Sequence, residues 1–234
     1  MAKLYYAGTD LSDFGVYVDT SKSFVKPEKR VNSVTVPGRS GDLVYADGGY
    51  ENILIPYPCF IRENFKENFE NLIDFLQSFG SEYKLLYTSN HLEEYRQAVF
   101  HSPVSPETGA WNRFGKFTLT FDCKPQIFLQ TGSVIRSFTS DGTIENPTDH
   151  PSKPKITIYG NGSVTVNGVI ITVTGVSDYV VVDCEVMDCY RGTTLMNNKV
   201  SFSGNDFPVL KPGVNNISLS GVTEVDIEPH WWHL

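Results

Sequence analysis

Asp183, Glu185 and Asp188 are the densest carboxylate group in the chain. Asp183 and Glu185 are two residues apart, so on a strand they share one face, at a separation where a pair can serve as acid and base in glycoside cleavage. The preferred expectation is plainer: a solvated strand edge, or a face turned to a partner. Trp231 and Trp232 sit between His230 and His233. Paired tryptophans can stack on sugar rings or anchor a partner. Alternatively, Glu228 to Trp232 is a last strand that closes a sheet and packs its alternating faces on two surfaces. Cys184 and Cys189 are five apart, with His150 or His230 as nominal completing ligands. Structural zinc favours tighter pairs, so four small thiols packed in strands is the better expectation for Cys59, Cys123, Cys184 and Cys189. GxSxG, HExxH and P-loop patterns are missing. Gly38, Gly41, Gly48 and Gly49 do not open a helix, and the histidines, which include His91 and His101, have no recognisable nucleophile beside them. The expectation is a chain that is not an enzyme and holds no cofactor or metal.

The elements that would carry these residues are mostly strands. In Lys116–Cys123, Phe117, Leu119, Phe121 and Cys123 alternate with Lys116, Thr118, Thr120 and Asp122, the period of a strand with one face in a core. Weaker strand patterns fall at 31–36, 50–55, 84–87, 155–159, 163–166, 169–174, 179–184, 199–202, 215–220 and 222–228. One helix stands out. Phe65, Phe69, Leu72, Leu76 and Phe79 recur at helical spacing and form one apolar stripe. Asn64 and Glu67 have capping-box spacing, and Gly80 is placed for a left-handed stop.

Asn146-Pro147 and Pro151-Ser152-Lys153-Pro154 cannot continue a helix or a central strand, because each proline removes a backbone donor. They mark a connector at about 124–154, dividing a unit at 1–130 from one at 131–234. The second unit has turn signals every eight to twelve residues (Asn161-Gly162, Asn167-Gly168, Gly204-Asn205, Pro212-Gly213) and no helical period, the pattern of a β-sandwich. The fold class expected is mainly β with one helix.

The 234 residues carry 19 Lys and Arg against 27 Asp and Glu, a net charge of −8. Residues 1–130 hold 13 basic and 16 acidic side chains, and 131–234 hold 6 and 11. Neither part has the basic footprint that gripping nucleic acid requires, and no polybasic membrane anchor exists. The first residues lack the apolar run of a signal peptide, so Asn161-Gly162-Ser163 and Asn216-Ile217-Ser218 are not read as glycosylation sites. The run Val169 to Val173 is far short of the roughly 20 residues of a membrane helix. A soluble protein made in a cytosol is expected.

Several short motifs follow one another in a particular order. They are Val36-Pro37-Gly38-Arg39 with Gly41-Asp42-Leu43; the helix ending Phe75-Leu76; Tyr95-Arg96-Gln97-Ala98; and Gly115-Lys116-Phe117 running into Phe121-Asp122-Cys123-Lys124-Pro125. Then come Asn146-Pro147, Ser152-Lys153-Pro154-Lys155-Ile156, Gly160-Asn161-Gly162, Phe207 to Ile217, and Pro229-His230-Trp231-Trp232. Each alone is a turn or strand signature. Their order over essentially the whole chain resembles the distal tail protein (Dit) family of siphophages.

The resemblance implies a tail-tube-like N-terminal β-sandwich or barrel with one α-helix, and a C-terminal galectin-like β-sandwich. It implies a virion protein of the tail tip or baseplate: a homohexameric ring, single or back to back with a second, that continues the DNA channel without binding DNA specifically. Its partners would be the major tail tube protein, the tape measure protein, the tail-associated lysin or fibre and, in some relatives, a receptor-binding protein. The segment Pro37, Gly38, Arg39, Gly41, Asp42 to Tyr50 is the expected arm to a neighbouring subunit, an ordinary surface hairpin being the alternative. Trp231 and Trp232 are the expected glycan or partner contact in the alternative function, a carbohydrate-binding adhesion module. The sandwich strands hold Arg191 and Asn197 but no histidine or tryptophan, so the galectin likeness carries shape and not lectin activity.

Overall fold

The computed structural model describes residues 2–19, 26–110, 113–204 and 206–234. Asn205, in the expected Gly204-Asn205 turn, lies outside them. The protein is mainly β with one α-helix and divides into two compact units, residues 1–127 with Leu234, and 128–233.

The first unit contains β1 (Leu4–Tyr6), β2 (Thr9–Asp10), β3 (Val16–Val18), β4 (Lys29–Val34), β5 (Leu43–Tyr50), β6 (Ile53–Ile61), α1 (Phe65–Gln77), β7 (Lys84–Thr88), β8 (Glu94–Val99), β9 (Glu107–Ala110) and β10 (Phe114–Cys123). Its main sheet runs β2-β1-β7-β8-β10-β6-β3, with β9 also on β10. The longest pairing joins β10 and β6, from Gly115 opposite Ile61 to Cys123 opposite Ile53. The alternation read in the sequence puts Phe117, Leu119, Phe121 and Cys123 in the core. Helix α1 covers that face with Phe65, Phe69, Leu72 and Leu76. Gly115 makes room for it: a Cβ there would lie 2.5 Å from the Phe65 ring.

Three local expectations are corrected. The strand expected at 50–55 is two strands, β5 and β6, broken at Glu51-Asn52. The capping box does not form. Asn64 is left-handed, at φ 49°, and its side chain caps nothing. Asn68 instead donates to the Glu63 carbonyl at 3.0 Å. Gly80 does not take the left-handed stop. The helix ends through Ser78, whose N–H donates to the Asp74 and Phe75 carbonyls and whose hydroxyl donates to Phe75.

After β11 (Ile127–Leu129), the second unit contains β12 (Arg136–Phe138), β13 (Gly142–Asn146), β14 (Lys155–Tyr159), β15 (Gly162–Val166), β16 (Val169–Val173), β17 (Tyr179–Asp183), β18 (Asp188–Arg191), β19 (Thr194–Leu195), β20 (Val200–Phe202), β21 (Gly213–Ser220), β22 (Glu224–Glu228) and β23 (Trp232–His233). Two sheets enclose one core, ordered β12-β22-β14-β17-β18-β19 and β13-β21-β15-β16-β20. Asn167 and Gly168, both at positive φ, make the two-residue turn between β15 and β16. The stretch 124–154 is not free chain throughout. It contains β11, β12 and β13; β12 and β13 are edge strands, which need only one bonded side and tolerate irregular flanks. Asn146 locks the proline-rich part, donating to the His150 and Leu210 carbonyls and accepting from the Thr148 N–H and hydroxyl.

Candidate assembly surfaces

The sequence around Pro37 folds into a hairpin of β4 and β5. It forms a two-stranded sheet of its own. Register runs from Val34 opposite Leu43 to Val31 opposite Ala46, then shifts before Lys29 meets Tyr50. Gly48, at φ 86°, lies in the shift. At the other end Pro37 and Gly38, the latter at φ 81°, build a type II turn closed by the Arg39 N–H on the Val36 carbonyl at 3.2 Å. The Thr35 hydroxyl donates across the strands to Asp42 at 2.9 Å. Arg30 pairs with Glu51 at 2.9 Å near the base, both exposed, and such a pair adds little stability.

Every residue of β4 is exposed, and so are residues 35–46. Facing pairs put Ser33 with Val44 and Val31 with Ala46 on one side, and Val34 with Leu43 and Asn32 with Tyr45 on the other. Val44, Tyr45, Val31, Val34 and Leu43 are all about half exposed (47–57%). Both faces of the hairpin are thus apolar and uncovered. A lone two-stranded hairpin is marginal in water, and an exposed apolar patch marks an interaction surface. The alternating valines were legible as a strand. That nothing among the described residues covers them was not.

Trp231 and Trp232 do not form a shared platform. Trp231 is 2% exposed and belongs to the core of the second unit, so no face is left for a sugar. Its carbonyl accepts from the Leu129 N–H, and Gly132 lies against its backbone, where a Cβ would come within 2.4 Å of the Trp231 nitrogen. Trp232 is half-buried. It stacks on His150 with ring centroids 4.4 Å apart and donates from Nε1 to the Pro151 carbonyl at 3.0 Å. The expected single strand from Glu228 to Trp232 is interrupted by His230, at φ 57°, leaving β22 and β23 separate.

The carboxylates also separate. Strand β17 ends at Asp183, and Glu185 lies in the turn beyond it. Asp183 accepts from the N–H groups of Glu185 and Val186 and from the Tyr190 hydroxyl. Glu185 faces Lys153 at 3.4 Å, and Asp188 accepts from Asn197. Burial accounts for the cysteines: the Cys59 and Cys123 thiols are pushed up to about 12, Cys189 to about 11, and Cys184 well above its ordinary range. All four are free thiols. Among the described residues no group of three or more His, Cys, Asp or Glu is arranged to hold a metal.

Residues 9–123 match the family described as phage tail protein RIFT-related domain. No curated protein matches the sequence closely enough to be called a relative. The fold is similar to that of the Dit protein of phage SPP1, described as a paradigm of hub adsorption apparatus in phages that infect Gram-positive bacteria. The TM-score is 0.70, at 13% identity over 100% of both chains. It is also similar to a chain of the phage P2 baseplate in its activated conformation, with TM-score 0.53 and 12% identity over 97% of both chains. A phage tail protein domain thus matches most of the first unit, and over its full length the chain has a fold similar to that of a siphophage distal tail protein.

Proposed function

We propose that the protein is the structural hub of a siphophage tail tip, a homohexameric ring whose subunits are joined through the β4–β5 hairpin. The observation that carries this is the hairpin itself, apolar on both faces and covered on neither by any of the described residues. A head-to-tail contact gives each subunit two different surfaces and closes into a ring when its rotation closes. An arm that enters a neighbour buries its apolar residues there, which accounts for their exposure in the single chain. The likeness to the SPP1 hub protein supports the same role. In this proposal the ring continues the tail tube, meets the tube and tape measure proteins on one side, and mounts the lysin or fibre on the other. The first unit is the tail-tube-like, ring-forming domain. The second is a galectin-like sandwich outside the ring that can carry receptor-binding proteins. Some of the acidic surplus of residues 1–130 lines the bore, where lysines and arginines would trap DNA phosphates.

Light scattering and native mass measurement test the arm. The wild type is expected to form a hexamer, alone at high concentration or with the tube protein. Val34→Asp and Leu43→Asp should lower the assembled fraction at least tenfold while leaving the thermal midpoint nearly unchanged, because exposed positions contribute little to the fold. A wild type that stays monomeric under all these conditions, or variants that assemble like the wild type, would sink the proposal.

A further inference from the structure

The second unit has an opening in its side. The cleft, about 600 Å³, lies where β12, the edge of one sheet, and β13, the edge of the other, part company. Its volume is that of an ordinary ligand site. Ile144 and Trp231 form a buried floor, Leu129, Phe138 and Pro147 line it, and Arg136 and Glu145 stand on the two edge strands. Each edge strand is bonded on one side only, β12 to β22 and β13 to β21. Among the described residues, Arg136 and Glu145 make no ion pair or side-chain hydrogen bond.

We propose that this cleft takes an extended segment of another protein, which adds as a strand along β13. Three features favour a strand over a sugar. The walls offer unpaired backbone edges, which a polypeptide matches and a sugar does not. The floor is aliphatic and aromatic, but the Trp231 ring is already buried and gives a saccharide no stacking face. And the two unpaired charges set a pattern that a strand's alternation satisfies. Ile144 points into the sandwich, while Thr143 and Glu145 point out. Arg136 and Phe138 lie opposite the buried Ile227 and Val225, so they line the inner side of the β12 edge. A strand beside β13 therefore places one residue in two over Ile144, between it and Phe138, and the others beside Thr143 and Glu145. The matching segment carries apolar residues facing in, with one acidic residue toward Arg136, and a lysine or arginine facing out beside Glu145.

The test uses capped seven-residue peptides of alternating Thr and Val with one inward Glu and one outward Lys, beside a scrambled set and a proline-interrupted set. Binding to the full-length protein is followed by fluorescence anisotropy and by hydrogen exchange of residues 136–146. The alternating peptides are expected to bind and to protect 142–146, and the proline-interrupted ones at least tenfold more weakly. The double variant Arg136→Glu, Glu145→Lys should lose at least tenfold, and a peptide with its two charges exchanged should restore binding. Thr143→Pro should abolish protection; because it can also harm folding, the charge exchange decides. The proposal is overturned if no peptide protects 142–146, if the exchanged peptide does not rescue the double variant, or if cell-wall oligosaccharides occupy the cleft instead. Oligomeric state plays no part in this readout, so its failure and the failure of the hub proposal are separate outcomes.

Discussion

At the scale of single residues, most groups that looked chemical are used to hold the second unit together. Asp183 ends a strand and closes a turn. Trp231 fills the core, and His230 turns the chain. Asn215 is fully buried, with its amide donating to the Ile144, Lys211 and Gly213 carbonyls and its oxygen accepting from the Lys211 N–H and the Asn167 amide. Glu228 is the one carboxylate here with a resolved consequence for pH. The hydrogen bond from His230, at 3.2 Å, holds it below the ordinary carboxylate range against a smaller opposing effect of burial. A carboxyl group depressed by folding stabilises the fold above its unfolded titration range, and that contribution is lost as pH falls through its folded one. The unfolding midpoint should therefore fall on acidification below about pH 4.3, the ordinary Glu value. Glu228→Gln should flatten that acid limb by less than about 1 kcal/mol, the pair being partly exposed. An unchanged acid limb in denaturant titrations would contradict this.

At the scale of elements, α1 and the β4–β5 hairpin are opposites. The helix presents one stripe and buries it. Phe65 and Phe69 stack at 5.3 Å, and Phe69 meets Phe117 edge-on at 5.1 Å. Phe65→Ala should cost about 3–5 kcal/mol in denaturant unfolding of the first unit, the usual penalty for emptying an aromatic core site. A loss under about 1 kcal/mol would mean that the helix does not close that core. The hairpin has no such stripe, and its exposed valines belong to neither core cluster, so its substitutions are read mainly in assembly rather than in stability.

At the scale of the whole molecule, charge is the property that reaches function. In the proposed hexamer, six copies of a chain at −8 would surround a passage for a polyanion. If the bore is neutral or acidic as proposed, assembled rings should retain no duplex DNA in gel-shift or filter assays at about 0.15 M salt. Retention that weakens steeply with added salt would mean a basic bore. That result would remove the charge argument and leave the likeness to phage tail proteins standing.

What the sequence determined by itself was whatever is local and periodic. The alternation in 116–123 gave β10, and the 65–76 stripe gave α1, because side-chain spacing and backbone geometry are coupled within a few residues. The order of turns and strands was enough to suggest the family. Short strands such as β1, β2 and β3 were missed, since two or three residues carry no period. Tertiary structure alone decided exposure. Val34 and Val166 are the same residue type in the same kind of strand, yet the first is 47% exposed and the second is in a core. It also decided proximity: Asp183 and Glu185, neighbours in the chain, took different partners, while Arg136 and Glu145 came to flank one cleft. Burial is a property of packing against distant segments, and no window of sequence contains those segments.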